Sequence, residues 1–304
     1  YQLFALTAGM FARPFGYELN LSSADRESPE RGRMSQLLMK TERDLGMMIS
    51  FEPQKKGHPL KFLKIDAGLF NGQGLTATSD FDSHKDFITR LAVKPVRLSK
   101  KTALSAGISY LNGGFIQNTK YIFENGKNFN GKTFLIDSAL TNKDKIAPRK
   151  YYGADVQFKI KNKVGFTELR AEYITGTQTS TATSTETPAA LLNGKDGYYI
   201  RRFNGAYFYF LQHIFNSHHQ LAVKYDWYDP NTSVKSLEIG KPGTNLNAAD
   251  IAYSTLGFGY IHYATENLKL VVWYDIVTNE KTALPGFTKD VKDNIFTCRL
   301  QFRF

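Results

Sequence analysis

The chain has 304 residues, a formal net charge of +11, 17 Tyr, 23 Phe and one cysteine. A single cysteine excludes a disulfide framework and any metal site built on several thiolates. No apolar run approaches the ~20 residues of a membrane-crossing helix, and the basic residues are dispersed rather than clustered, which speaks against a nucleic-acid partner.

The chain opens directly in a strand-like stretch, "YQLFALTAGMF", as a mature or partial chain does. Alternation of apolar and polar residues then recurs from end to end and predicts twelve strands. They lie near residues 2–13, 43–53, 60–70, 86–98, 102–111, 151–161, 165–175, 204–215, 219–229, 252–264, 267–277 and 294–304. A strand of about ten residues tilted by ~45° spans an apolar band ~25 Å tall. The connections alternate in length. "EPQKKGHP", "RLSKK", "KNKVG", "NSHH" and "ATEN" are short turns, whereas 14–42, 71–85, 112–150, 176–203, 230–251 and 278–293 are long loops. Short turns at one rim and long loops at the other are the pattern of an outer-membrane barrel. In lipid, unpaired backbone demands that such a sheet close. The expected fold is all-β, a single transmembrane antiparallel β-barrel domain over residues 1–304.

Parity assigns the faces. In 219–229, Leu221, Val223, Tyr225 and Trp227 face lipid, while Lys224 and Asp226 face the lumen. In the last strand Phe296, Cys298, Leu300, Phe302 and Phe304 point out, and Thr297, Arg299, Gln301 and Arg303 point in. The segment "NGAYFYFLQHIFN" is apolar on both parities, which leaves its facing open and allows contact with another subunit. The inward set holds ten cations, Arg13, Lys64, Arg90, Lys94, Lys159, Arg170, Lys224, Lys269, Arg299 and Arg303. Eight anions face them, Asp44, Glu52, Asp66, Asp155, Glu168, Glu172, Asp226 and Asp275. Much of the remaining positive charge sits in turns, at Lys55, Lys56, Lys100, Lys101, Lys161 and Lys163. Such a mixed wall supports a weak preference for anions.

Several stretches, in order, are "GMFARPFGYELNLSSADRESPERGR", "TERDLGMMISFE", "DAGLFNGQG", "KDFITRLAVKP", "YYGADVQFKIKN", "LRAEYITGTQ" and "KYDWYDPNT". This ordered set resembles the phosphate-selective porin O and P family, in the branch common in Bacteroidetes-type bacteria. The resemblance implies a sixteen-stranded, trimeric porin passing small anions, with four strands preceding Tyr1. It also implies that the loop after the first visible strand, 14–42, folds inward as the constriction. Carried onto this chain, the anion pathway is Arg26, Arg31 and Arg33 in that loop, with Arg90 and Lys94 on the wall. Residues 17–42 also hold Glu18, Asp25, Glu27, Glu30 and Glu42, so the loop is net negative by one.

Other chemistries find little footing. The six histidines, His58, His84, His213, His218, His219 and His262, lie in no recognisable nucleophile motif, so an enzyme is not expected. No glycine-rich phosphate cradle follows a strand, and no cofactor is implied. Asp80, Asp82 and Asp86 alternate in a long loop as Ca²⁺ ligands can, although a solvated acidic loop is the plainer reading. The expected function is a passive diffusion channel in contact with bilayer and lipopolysaccharide. The alternative is a structural or docking barrel within a larger outer-membrane assembly.

Overall fold

A computed structural model describes residues 3–55, 57–75 and 80–303. The expectations for Lys56 and Phe304, and the start of the first strand at Gln2, lie outside these residues. Among the described residues, no helix is long and apolar enough to cross a membrane.

Twelve antiparallel strands form one continuous wall. They are β1 (Phe4–Ala12), β2 (Arg43–Phe51), β3 (Leu63–Phe70), β4 (Asp86–Arg97), β5 (Thr102–Ile116), β8 (Ile146–Asn162), β9 (Gly165–Ser180), β10 (Tyr198–His213), β11 (His219–Asp229), β12 (Tyr253–Tyr263), β13 (Leu268–Asn279) and β14 (Ile295–Phe302). Each pairs with its neighbours in that order, and β1 and β14 are the two edges of the sheet. Two further strands, β6 (Ile122–Asn128) and β7 (Gly131–Asp137), make a hairpin within the loop between β5 and β8. β6 then pairs in parallel with the start of β10, Ile122 opposite Tyr198. The fold is therefore all-β and antiparallel in its wall, with every long connection at one rim.

The alternation decides the facing. On β11 Leu221 and Tyr225 are exposed while Ala222, Lys224, Asp226 and Tyr228 are buried, a period-two pattern that only a strand produces. On β9 Leu169 and Tyr173 are exposed while Glu168, Arg170 and Glu172 are buried. β14 shows Phe296, Leu300 and Phe302 at 62–70% exposure on one parity, the one that the sequence assigns to lipid. Apolar side chains so exposed on neighbouring strands make a belt that hydrocarbon covers well and water covers poorly.

The inner face is more apolar than the parity reading anticipates. Residues 13–42 lie against it, and Phe15, Leu19, Met34, Leu38 and Met39 from this segment pack with wall residues including Phe70, Ile88, Leu111, Tyr151 and Phe203. Inside the segment a short helix, α1 (Arg33–Leu38), places Met34 and Leu38 against the wall. The strand left open in the sequence finds its explanation here. On β10, Phe208 and Phe210 are exposed outward, whereas Tyr207, Tyr209 and Leu211 are buried inward beneath the segment. Both parities are apolar because one meets the outer belt and the other meets the chain's own loop. On β12 and β13, Gly259 sits opposite Trp273, and a Cβ there would fall on the indole ring.

A second apolar cluster lies beyond the belt. Phe134 from β7 joins Val234, Ile239, Leu246 and Ile251 of the loop between β11 and β12. Together with the long strands β8, β9 and β10, it builds a folded cap over part of the long-loop rim.

Candidate functional site

The site is the contact between residues 13–42 and the inner wall. Its first anchor is Glu172 on β9, whose Oε2 accepts from the Tyr17 amide at 3.1 Å, the Glu18 amide at 3.0 Å and the Tyr207 hydroxyl at 2.7 Å. Glu18 returns the arrangement. Its Oε2 accepts from the Gly32 amide at 2.8 Å and its Oε1 from the Tyr209 hydroxyl at 3.3 Å, closing the segment on itself. Donors that the turns would leave unsatisfied away from water are met by these carboxylates.

Ion pairs then run around the wall. Arg170 reaches Glu27, Arg299 reaches Glu30 at 3.2 Å, and Arg303 reaches Asp25 at 3.2 Å. The Lys269 Nζ donates to the Ala24 and Arg26 carbonyls at 2.7 Å each, and Gln301 donates to the Ser23 carbonyl at 3.0 Å. The Arg33 amide donates to Asp226 Oδ1 at 3.2 Å. Of the loop's acidic residues, Asp25, Glu27 and Glu30 are thus the counter-ions of wall cations.

The cations expected to form an anion pathway occupy three kinds of position. Arg90 is held by Asp155 through Nη1–Oδ2 at 2.5 Å and Nη2–Oδ1 at 3.0 Å, and Lys94 by Glu52 at 3.0 Å. Arg31 faces Glu42 at 3.6 Å. Arg33 lies over the Tyr253 ring at 3.6 Å, and Arg26 has its Nε and Nη1 buried with no hydrogen-bond partner among the described residues. The structure does not gather Arg26, Arg31, Arg33, Arg90 and Lys94 into one ladder. The remaining wall cations are paired likewise: Lys64 with Asp66 at 3.3 Å, Lys159 with Glu168 at 3.3 Å and Lys224 with Asp226 at 3.1 Å. A paired charge projects a local dipole rather than a long-range field.

Between the segment and strands β11 to β14 lies a cavity of about 310 Å³. Arg31, Arg33 and Lys224 line it against Glu30, Asp226 and Asp275, an even balance of sign.

The three aspartates do not converge. Asp80 pairs with Lys85 at 2.6 Å and accepts from Gln73, Asp82 accepts from the Ile116 and His84 amides, and Asp86 is buried against Arg149 and the Gly114 amide. Burial pushes the Asp82 carboxyl up, against the pull of those two amides. Burial acts upward on Asp80 too, but hydrogen bonds from Lys85 and Gln73 outweigh it and hold that carboxyl below its ordinary value. Among the described residues, no three His, Cys, Asp or Glu side chains form a metal-holding group. Each carboxylate is already committed, so the alternating spacing does not make a Ca²⁺ cage.

Two buried arginines, Arg149 and Arg201, lie outside the set of cations expected on the inner wall. Arg149 donates to the Gly72 carbonyl at 2.7 Å as well as to Asp86. Arg201 donates to Asp250 at 2.9 Å and to the Ser180 hydroxyl and the Thr181 and Ala182 carbonyls. Their signal in the sequence is inward parity beyond the belt, at strand ends that the alternation rule does not reach.

An open-ended antiparallel sheet with an apolar outer face and a charged, loop-covered inner face defines the chain as the wall of a transmembrane β-barrel of the outer-membrane type. No protein-family model matches the chain, and no curated protein matches it in sequence. Among solved structures it is similar to an anion-selective porin from Comamonas acidovorans, with a TM-score of 0.46 and 10% identity over 96% of this chain and 68% of that one. It is also similar to OmpT, an outer membrane protein of Vibrio cholerae (TM-score 0.45, 8% identity, 96% and 71% coverage). A third likeness is to the NanC porin (TM-score 0.37, 10% identity, 85% and 93% coverage). The chain spans 62% of a further porin that it matches. Likeness at this level fixes neither family nor cargo.

Proposed function

We propose that the chain forms the wall of a bacterial outer-membrane porin, a passive diffusion channel for small hydrophilic solutes with residues 14–42 as its constriction. The observation that carries this reading is the fastening of that segment to the inner wall. Glu172 holds its start, Arg170 and Arg299 its middle, and the Asp226 carboxylate the first turn of α1. A loop so held across a barrel narrows the passage and fixes a size limit. The wall is read as a channel rather than an enzyme.

Anion preference is weak on this reading, because the wall cations other than Lys269 are matched by carboxylates, and Lys269 is held by the Ala24 and Arg26 carbonyls. What excess remains is assigned to Arg26 and Arg33, neither of which has an ion pair among the described residues. Phosphate is the anion that the sequence resemblance names. The same resemblance supports a trimer, and a wall completed to sixteen strands between the β1 and β14 edges.

Planar-bilayer recording tests the proposal. Stable ohmic steps, with a small reversal potential toward anions in a salt gradient, are the expected result. A silent barrel would favour the second reading, a docking barrel in a larger assembly. The apolar packing of Met34 and Leu38 between the loop and the wall, and the folded cap, are the observations on its side.

A further inference from the structure

Outside the inner face, a concavity with an excess of positive charge lies at the long-loop rim. A pocket of about 460 Å³ opens between the β6–β7 hairpin, strands β9 and β10 and the loop after β11. Lys127, Lys132 and Arg202 line it against a single carboxylate, Glu124, with Asn125 and Thr177 as neutral polar groups. Lys127 and Lys132 are directly opposed across the hairpin. Like charges in that register repel, so the arrangement is costly without an anion beside it. Glu238 serves Lys132 at 3.0 Å. Lys127 and Arg202 are exposed and have no ion pair among the described residues.

Height relative to the apolar belt gives the pocket its meaning. Arg202 shares the outward parity of Phe208 and Phe210, both exposed. Tyr173 faces outward at 43% exposure, and Trp227 stacks on Phe208 with ring centres 5.9 Å apart. Such a row of amphipathic rings marks the membrane–water interface. Arg202 pairs in register with Thr177, four residues beyond Tyr173 on β9. Four strand residues advance ~13 Å, or ~9 Å along the bilayer normal at a tilt of ~45°. That is the depth of lipid headgroups above the acyl chains.

We propose that this pocket binds the phosphorylated sugar headgroup of an outer-leaflet lipid of the lipid A class. Arg202 offers a fork of donors to a phosphate, Lys127 adds a point charge, and the Thr177 hydroxyl suits a sugar hydroxyl, while Asn125 is held by Asn231 at 3.0 Å and shapes the pocket floor. The β6–β7 hairpin acquires a role on this reading, since it carries Lys127, one of the two cations of the site without an ion pair among the described residues. The inference rests on the outer-membrane reading above.

The test is native mass spectrometry of the detergent-extracted full chain titrated with diphosphorylated lipid A, with its dephosphorylated form and with inorganic phosphate. The expected result is a lipid A adduct that the dephosphorylated form does not match within tenfold and that inorganic phosphate at equal concentration does not displace. Removing a charge-assisted contact weakens binding roughly tenfold, so Arg202→Gln with Lys127→Gln lowers the adduct by more than that, while Lys100→Gln at the short-turn rim leaves it unchanged. Equal retention by the double variant, or equal binding of the dephosphorylated lipid, overturns the site. Displacement by inorganic phosphate overturns the lipid and assigns the pocket to a free anion. Flotation with vesicles reads the membrane reading separately: a chain that fails to insert overturns that reading, whereas one that inserts without the adduct overturns the site alone.

Discussion

Arg170 on β9 forks onto Glu27, 143 residues earlier in the chain, with Nη1–Oε2 at 3.0 Å and Nη2–Oε1 at 3.3 Å. Its Nε also donates to Glu168 at 3.0 Å. Both partners are buried, so the pair fixes the middle of the loop segment at one point on the wall.

Removing the Glu27 carboxylate leaves the buried Arg170 with Glu168 as its remaining counter-ion, so the cost falls below the ~3–5 kcal/mol of leaving a buried charge unmatched. Glu27→Gln is expected to destabilise the folded barrel by about 1–3 kcal/mol, the cost of unsatisfied buried donors, and to raise single-channel conductance as the segment loosens. The double exchange Arg170→Met with Glu27→Leu removes both charges and is expected to cost less than the single one. Urea titration in lipid vesicles beside bilayer recording checks both. Equal losses in the single and double variants would deny the coupling.

The balance of wall charge makes a second forecast about selectivity. Arg26→Glu with Arg33→Glu is expected to move the reversal potential in a KCl gradient toward cations. Exchanging Arg90→Gln together with Asp155→Asn removes a matched pair and should leave the potential nearly where it was. A larger shift from the matched pair than from the two loop arginines would place the selective field on the wall instead.

The outer belt yields a third. Leu169 stands on β9 midway between the short turn at Gly165 and Tyr173, at 48% exposure and facing outward. Leu169→Arg puts a charge into hydrocarbon and is expected to cost ~2–4 kcal/mol, whereas the same change near an interface costs ~0–1 kcal/mol. Reversible unfolding from vesicles measures it. A neutral outcome would mean that this face does not meet acyl chains.

A fourth concerns Asp86, which is buried against Arg149 and accepts from the Gly114 amide at 3.2 Å. Asp86→Asn strips Arg149 of its counter-ion and is expected to cost ~3–5 kcal/mol. Adding or chelating Ca²⁺ is expected to leave the unfolding midpoint of the native chain unchanged, because none of the three aspartates is free to turn toward an ion. A calcium-dependent midpoint would show that the loop rearranges around one.

The alternation of side chains made the twelve wall strands and their facing legible, since period two is a local property of the chain. Leu221, Lys224 and Tyr225 could be sorted without knowing any neighbour. Strand ends were harder. β8, β9 and β10 run on past the belt, where the outer parity no longer needs to be apolar and the pattern fades. The β6–β7 hairpin was visible only as the Asn-Gly pairs of "NGKNFNGK", which name a turn without saying that strands flank it. Partners were beyond reach altogether. That Glu27 belongs to Arg170, or Asp155 to Arg90, depends on register and on where a long loop lies, and neither is written in local sequence. Counting charges one strand at a time gave a mixed wall with a slight positive excess, but not which carboxylate serves which cation.

The strands are unequal in reach. β3 has 8 residues and β8 has 17, which at ~3.3 Å per residue gives extents of roughly 26 Å and 56 Å. The mouth therefore has a parapet on the side of β8 to β10 and a low sill on the side of β2 to β4. Whatever diffuses toward the opening arrives most easily over the sill, and anything that settles on the cell surface touches the parapet first.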